Sequence, residues 1–163
     1  MKVTHKLEPI YDENSKVLIL GTIPSIKSRE IGFYYSHPQN RFWKVLAIIF
    51  NEKIPNTIEE KKDFLLRNNI ALWDTIKSCN ITSSSDSSIT NITVNDISKL
   101  IKKTKINKIY TTGKKAYEVY MKEIQKKTNI EATYLPSTSP ANATFTLEKL
   151  IKEYNKIKRN SEK

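Results

Sequence analysis

Two periods alternate along this chain. Four short runs dense in apolar and β-branched residues, at 17–20, 70–73, 108–112 and 131–135, are separated by stretches whose apolar positions recur at helical spacing. That alternation predicts an α/β fold, a three-layer sandwich with a central, mostly parallel four-stranded sheet flanked by helices. Phe42, Val45, Leu46, Ile49 and Phe50 fall on one helical stripe between residues 40 and 50. Thr57-Ile58-Glu59-Glu60 reads as a capping box that opens a helix running to about Asn68, with Phe64 and Leu65 facing inward. Further helices are expected over residues 94–103, 114–125 and 146–158. Residues 78–91 are rich in Ser, Thr and Asn and carry no period, so they read as a loop after the second strand. No repeat or linker divides the sequence; a single domain over residues 1–163 is expected, with a core at 8–157 and a frayed tail at 159–163.

Sites in α/β sheets form at the carboxyl ends of the strands. The loops at 22–41, 74–91 and 136–143 should therefore converge on one pocket. The first is entered from Val17-Leu18-Ile19-Leu20-Gly21-Thr22-Ile23-Pro24-Ser25, a buried strand leading into a tight turn. It then crowds rings, amides, an imidazole and a guanidinium into Phe33-Tyr34-Tyr35-Ser36-His37-Pro38-Gln39-Asn40-Arg41-Phe42-Trp43, a set suited to gripping a flat, polar base. The last loop, Leu135-Pro136-Ser137-Thr138-Ser139-Pro140-Ala141-Asn142-Ala143, brackets hydroxyl residues with prolines ahead of a helix. Such a loop approaches a phosphate backbone closely and offers it backbone N–H groups. Gly113-Lys114-Lys115 permits a tight turn that either places lysines near a phosphate or is purely structural, and it lacks the glycine spacing of a phosphate-binding P-loop.

Charge favours a polyanionic partner without establishing one. The chain of 163 residues carries 28 Lys and Arg against 17 Asp and Glu, a net charge of +11, and lysines that merely solvate helix faces account for this equally well. The single cysteine, Cys79, excludes an intrachain disulfide, a four-cysteine zinc site and a cluster held by this chain's own thiolates, and it reads as a buried apolar residue in a reducing compartment. No apolar run approaches the ~18 residues of a membrane span, and no signal-peptide core opens the sequence, so a soluble cytoplasmic protein is expected. Only 3 glycines weigh against a flavodoxin-like nucleotide binder.

The segments Gly21-Thr22-Ile23-Pro24-Ser25, His37-Pro38-Gln39-Asn40-Arg41-Phe42-Trp43, Ala71-Leu72-Trp73-Asp74 and the 135–143 loop resemble the uracil-DNA glycosylase superfamily, most of all its hypoxanthine-DNA glycosylase branch. The resemblance spans roughly residues 8–157. It implies a monofunctional, metal-independent hydrolase without a cofactor. Such an enzyme removes hypoxanthine or uracil from DNA by cutting the N-glycosidic bond of a flipped nucleotide; the Tyr34 and Tyr35 pair with small Ser36 beside it leaves room for a purine, which ranks hypoxanthine first and uracil second. With no heptad and no apolar surface stripe in the sequence, a monomer with no obligate protein partner and no membrane association is expected. Tyr35 would stack on the base, and the 136–142 loop would press into the strand. Where many relatives place Asn or Asp before the proline of the first loop, this chain has Ile23, which does no acid or base work; Asn40, in the hypoxanthine-type segment, becomes the catalytic candidate.

The same residues have plainer readings. Asn40 either orients water or caps the helix that follows it. His37 contacts the base or holds a turn. Thr22 and Ile23 flank the base on the resemblance, while Asp74 and Asp86 touch its edge, hold an arginine or, for Asp86, solvate a turn. Ser25, Arg41, Lys114, Ser137, Thr138, Ser139, Pro140, Ala141 and Asn142 are the expected DNA contacts. A silent DNA-binding domain of the same fold is the competing reading, raised by Ile23.

Overall fold

The computed structural model describes residues 2–4, 7–82 and 88–162. Its centre is a four-stranded parallel sheet made of β2 (Val17–Gly21), β3 (Ile70–Asp74), β6 (Lys108–Thr112) and β7 (Ala132–Leu135), in the order β3-β2-β6-β7. All four strands are the ones expected from the apolar runs. Alternate side chains of β2 supply both faces, since successive residues of a strand point to opposite sides. Val17 and Ile19 pack with α2 (Phe42–Ile49), α3 (Ile58–Arg67), α7 (Leu147–Tyr154) and α8 (Lys156–Ser161). Leu18 and Leu20 pack with α4 (Ile97–Lys102) and with the π-helical turn at Tyr120–Ile124, which joins α5 (Lys114–Val119) to α6 (Gln125–Thr128). The expected capping box of α3 is present, with the Glu60 N–H donating to the Thr57 hydroxyl at 3.0 Å and the Glu60 carboxylate accepting from the Thr57 N–H at 3.4 Å.

Within residues 78–91, the described parts are largely strand instead of the expected loop. β4 (Ile76–Ile81) and β5 (Ile89–Val94) form an antiparallel pair, and β1 (Lys2–Thr4) adds a third strand beside β4. Ile76, Cys79 and Ile89 face a small core shared with Val119, while the hydroxyl and amide side chains look outward or sit at its edge. The pairing shifts register between Ile76 and Ser78 and again between Ser78 and Asn80. Those irregularities break the two-residue period by which a strand is read from sequence. Asp86 lies outside the described residues.

The tail also differs from expectation. α8 reaches Ser161, buries Ile157 and Ser161, and is tied to the sheet where Asn69 Nδ2 donates to the Ser161 carbonyl at 3.0 Å. A short helix α1 (Ile26–Ile31), capped by the Ser25 hydroxyl, was not anticipated either. No helix among the described residues is long and apolar enough to cross a membrane. Because Ile157 is fully buried beneath the sheet, Ile157→Ala is expected to cost about 2–5 kcal/mol in urea unfolding, whereas a helix not docked on the sheet would show no change.

Candidate active site

The carboxyl ends of three neighbouring strands meet at Gly21, Asp74 and Thr112. Gly21 is level with Asp74 in the ladder, and a Cβ added at Gly21 would sit 2.5 Å from Asp74 Oδ1 and 3.0 Å from the Tyr35 hydroxyl. Only glycine lets the carboxylate and the phenol approach the strand this closely. The Tyr35 hydroxyl also shares a 2.9 Å hydrogen bond with Thr112 Oγ1. Burial pushes the Asp74 carboxyl up to about 7, against the pull of a backbone hydrogen bond from Gly21. Burial, and then the Asp74 charge, hold the Tyr35 phenol well above its ordinary value, while its bond to Thr112 works the other way.

Tyr35 links this cluster to the surface. Its backbone is left-handed, with φ of 52°, which turns the ring across Phe42 at 3.8 Å between centroids and 9° between planes. The bend is held by Ser28, a buried residue of α1 whose hydroxyl accepts the Ser36 N–H at 3.1 Å. His37 Nδ1 accepts the Gln39 N–H at 3.1 Å, so this nitrogen is the unprotonated one and the imidazole serves the turn. Asn40 Oδ1 accepts from the Phe42 N–H at 2.9 Å and from the Thr138 hydroxyl at 2.8 Å. Arg41 is the N-cap of α2, so the Asn40 oxygen closes the turn just ahead of the helix and is held in the site by the same bond. With both lone pairs of the carbonyl taken, the Asn40 side chain offers a donor, its N–H₂, which has no partner among the described residues. The expected use of this oxygen to accept from a water does not fit that bonding.

The 136–145 loop is stitched to the same point. Thr138 is buried, its carbonyl accepts the Arg41 N–H at 3.2 Å, and the Arg41 guanidinium donates to the carbonyls of Ser139 and Asn142 at 3.2 Å each and to that of Phe145. Arg41, expected at a phosphate, instead braces the loop from inside. Ser137 Oγ accepts the Ser139 N–H, Ser139 Oγ accepts the Ala141 N–H, and Asn142 Nδ2 donates to the Ser137 carbonyl. Pro140 and Ala141 form the exposed tip.

A cleft of about 430 Å³ is lined by Tyr35, His37, Asn40, Arg41, Trp43, Lys44, Lys61 and the 54–56 turn. Thr22, Asp74 and Lys114 are not part of its lining. Ile23, expected beside the base, packs against the core of Ile76, Cys79, Ile89 and Val119, which explains an apolar residue there: it anchors the second sheet. Ser25 is spent as the cap of α1, and Lys114 is exposed at the start of α5. Two participants were missed. Thr112 reads in the sequence as the last β-branched residue of a strand, and Lys61 as a solvated helix position, yet its Nζ lies 5.4 Å from the Trp43 ring centroid and burial lowers its pKa. Among the described residues no three His, Cys, Asp or Glu side chains gather as a metal site.

The family model described as the Uracil DNA glycosylase superfamily matches residues 8–159. A hypoxanthine DNA glycosylase of Methanosarcina acetivorans is 36% identical over 140 residues, covering 83% of this chain and 86% of its own. A hypoxanthine DNA glycosylase of Methanosarcina barkeri is 32% identical over 136 residues, covering 82% and 85%. A solution structure of a candidate uracil DNA glycosylase from Methanosarcina acetivorans superposes over 100% of both chains, with a TM-score of 0.85 and 32% identity.

The Asp74 environment sets a stability prediction. Its carboxyl titrates near 3.8 in an ordinary setting and about 7 in the fold, so between those values the folded state holds more protons than the unfolded one, and stability falls as pH rises. In urea titrations from pH 4 to pH 8, Asp74→Asn should remove this part of the decline, gaining on the wild type as pH rises. A constant difference between the two proteins would mean that Asp74 is ionised throughout.

Proposed function

Because the chain belongs to the uracil DNA glycosylase superfamily, we propose that this DNA glycosylase hydrolyses the N-glycosidic bond of a flipped, deaminated nucleotide, taking hypoxanthine ahead of uracil. The curated relatives named hypoxanthine DNA glycosylase support that order. The observation that carries the reading is Asn40, locked between the Phe42 N–H and the Thr138 hydroxyl, with its N–H₂ left for the cleft that Tyr35 also lines.

On this reading the base enters beside Tyr35, whose far face is backed by Phe42. Stacking of a base on an aromatic ring contributes about 1–3 kcal/mol and offsets much of the flipping cost. The C1′–N9 bond of deoxyinosine then breaks with its electron pair on the base, and a water oxygen bonds to C1′ while its proton leaves to solvent or to the base. Asn40, as a fixed donor, stabilises charge on the departing purine, which is worth most where the donor is already in place. Lys44 and Lys61 at the cleft wall favour the anionic strand. The enzyme is monofunctional, acts as a monomer in the cytoplasm, and draws its chemistry from its own side chains. Ile23 packs into the core beneath the second sheet, so on this reading the polar work falls to Asn40.

The test uses end-labelled duplexes with one deoxyinosine, one deoxyuridine or neither, incubated with EDTA and then cleaved at abasic sites with alkali. Breaks are expected with deoxyinosine most and with the unmodified duplex not at all. Asn40→Ala should reduce single-turnover excision about 10²–10³-fold. Thr138→Val, which only frees one lone pair of Asn40, should cost roughly tenfold with an unchanged circular dichroism spectrum. DNA binding without any break would replace excision with the silent-domain reading.

A further inference from the structure

The catalytic loops occupy the carboxyl end of the sheet, and the net charge of +11 is not confined to them. At the opposite, amino-terminal end, Lys16 immediately precedes β2 and Lys108 opens β6, and the ladder pairs Val17 with Lys108. The segment leading into β6 is fastened to the same place, with the Lys105 N–H donating to the Ser15 carbonyl and the Asn107 N–H to the Lys16 carbonyl, each at 3.1 Å. α4 ends here at Lys102, followed by Lys103. α8 is drawn to the same edge: Asn69, just before β3, holds the Ser161 carbonyl, Lys16 Nζ donates to the Glu162 carbonyl, and Asn160 bonds the Tyr110 hydroxyl. That docking delivers Lys158 and Arg159 to the edge, and Arg159 is near enough to act electrostatically on Tyr110.

Six cations, Lys16, Lys103, Lys105, Lys108, Lys158 and Arg159, therefore gather at one end of the sheet, and none of them is in an ion pair with a described residue. Acids share the region too, and exposed Glu131, immediately before β7 and beside the Lys108 end of β6, is one of four. Asp12 spends its carboxylate on the Asn14 N–H and the Ser15 hydroxyl of its own turn, and Glu13 and Glu162 are exposed. The balance is positive. Lys103, Lys105, Lys158 and Arg159 are exposed, whereas Tyr110, the ring beneath Lys108, is fully buried. The patch thus offers charge to phosphates and, at that ring, no stacking face to an unpaired base.

We propose that this amino-terminal face is a second DNA-binding surface, which holds the phosphate backbone of a separate duplex segment while the cleft engages the damaged strand. The proposal rests on the reading that the cleft acts on DNA. Strands of five residues, at about 3.3 Å per residue, set the two faces about 17 Å apart before their loops are added, and a straight duplex cannot touch opposite ends of a sheet at once. The partner is another duplex, or a distant stretch of the same long molecule. Contacts of this kind are sequence-independent and fall steeply with salt, which suits transfer from segment to segment during a search.

The experiment saturates a short bead-bound deoxyinosine duplex with the protein, washes it, and offers a labelled lesion-free duplex at low salt. Wild-type protein should retain the second duplex, and retention should vanish at moderate salt. Replacing Lys103, Lys105, Lys158 and Arg159 with Gln should lower retention at least about fivefold while excision on the short duplex stays within about twofold. A control with Lys62, Lys77, Lys122 and Lys152 changed to Gln removes the same charge from exposed positions on other elements and should retain the second duplex. No retention by the wild type, equal loss in both variants, or preferential retention of duplex RNA overturns the proposal. Retention without excision keeps this surface and removes the proposed activity; excision without retention does the reverse.

Discussion

The hydrogen bond from the Thr138 hydroxyl to Asn40 Oδ1 joins two segments 98 positions apart in the chain, and the candidate site depends on it. Its oxygen also accepts the N–H of Phe42, the first residue of α2, so the helix that backs Tyr35 and the loop that tops β7 are referred to one amide. Arg41, the next residue, repeats the connection three times through the carbonyls of Ser139, Asn142 and Phe145. Individually such bonds contribute about 0.5–1.5 kcal/mol. Together they fix the relative position of two loops that no secondary structure links, which is the preorganisation an electrostatic catalyst needs.

A second constraint lies below that stitch. Gly21 has no side chain, so the Asp74 carboxyl and the Tyr35 phenol both press against the end of β2. Burying a carboxylate is expensive unless it is paired or protonated, and here burial moves the Asp74 equilibrium to about 7. The fold accepts that cost at the strand ends, beside the ring that lines the cleft. Tyr35 carries strain of its own in a left-handed backbone, held by Ser28 and Phe42. Strain and a buried titratable group in one place are more typical of a working site than of a packing core.

Much of the architecture was legible in residue order. The four parallel strands, the aromatic stripe of α2 and the Thr57 capping box each rest on a local pattern whose physical cause, alternate burial or an unsatisfied helix N-terminus, lies within a few residues. The 33–43 run and the 135–143 loop were legible for the same reason, as unusual chemistry at predicted strand ends. The second sheet was not, because its register shifts scramble the alternation and its outward side chains are those of a loop. The last turn of α8, from Arg159, was read as a frayed end because the partners that anchor Ser161 and Asn160, Asn69 and Tyr110, are 92 and 50 positions away.

By itself, then, the order of residues determined which segments become strands and helices and which loops carry the polar and aromatic groups, since those outcomes follow from local sterics and periodic burial. Tertiary structure decided what each group does there. It turned Arg41 inward as a brace, took Ile23 into a core, brought Thr112 under Tyr35, and left Asn40 a donor by filling its oxygen. Each of those assignments depends on a partner far away in the chain, and a hydrogen-bonding group's remaining capacity is known only once all its partners are in place.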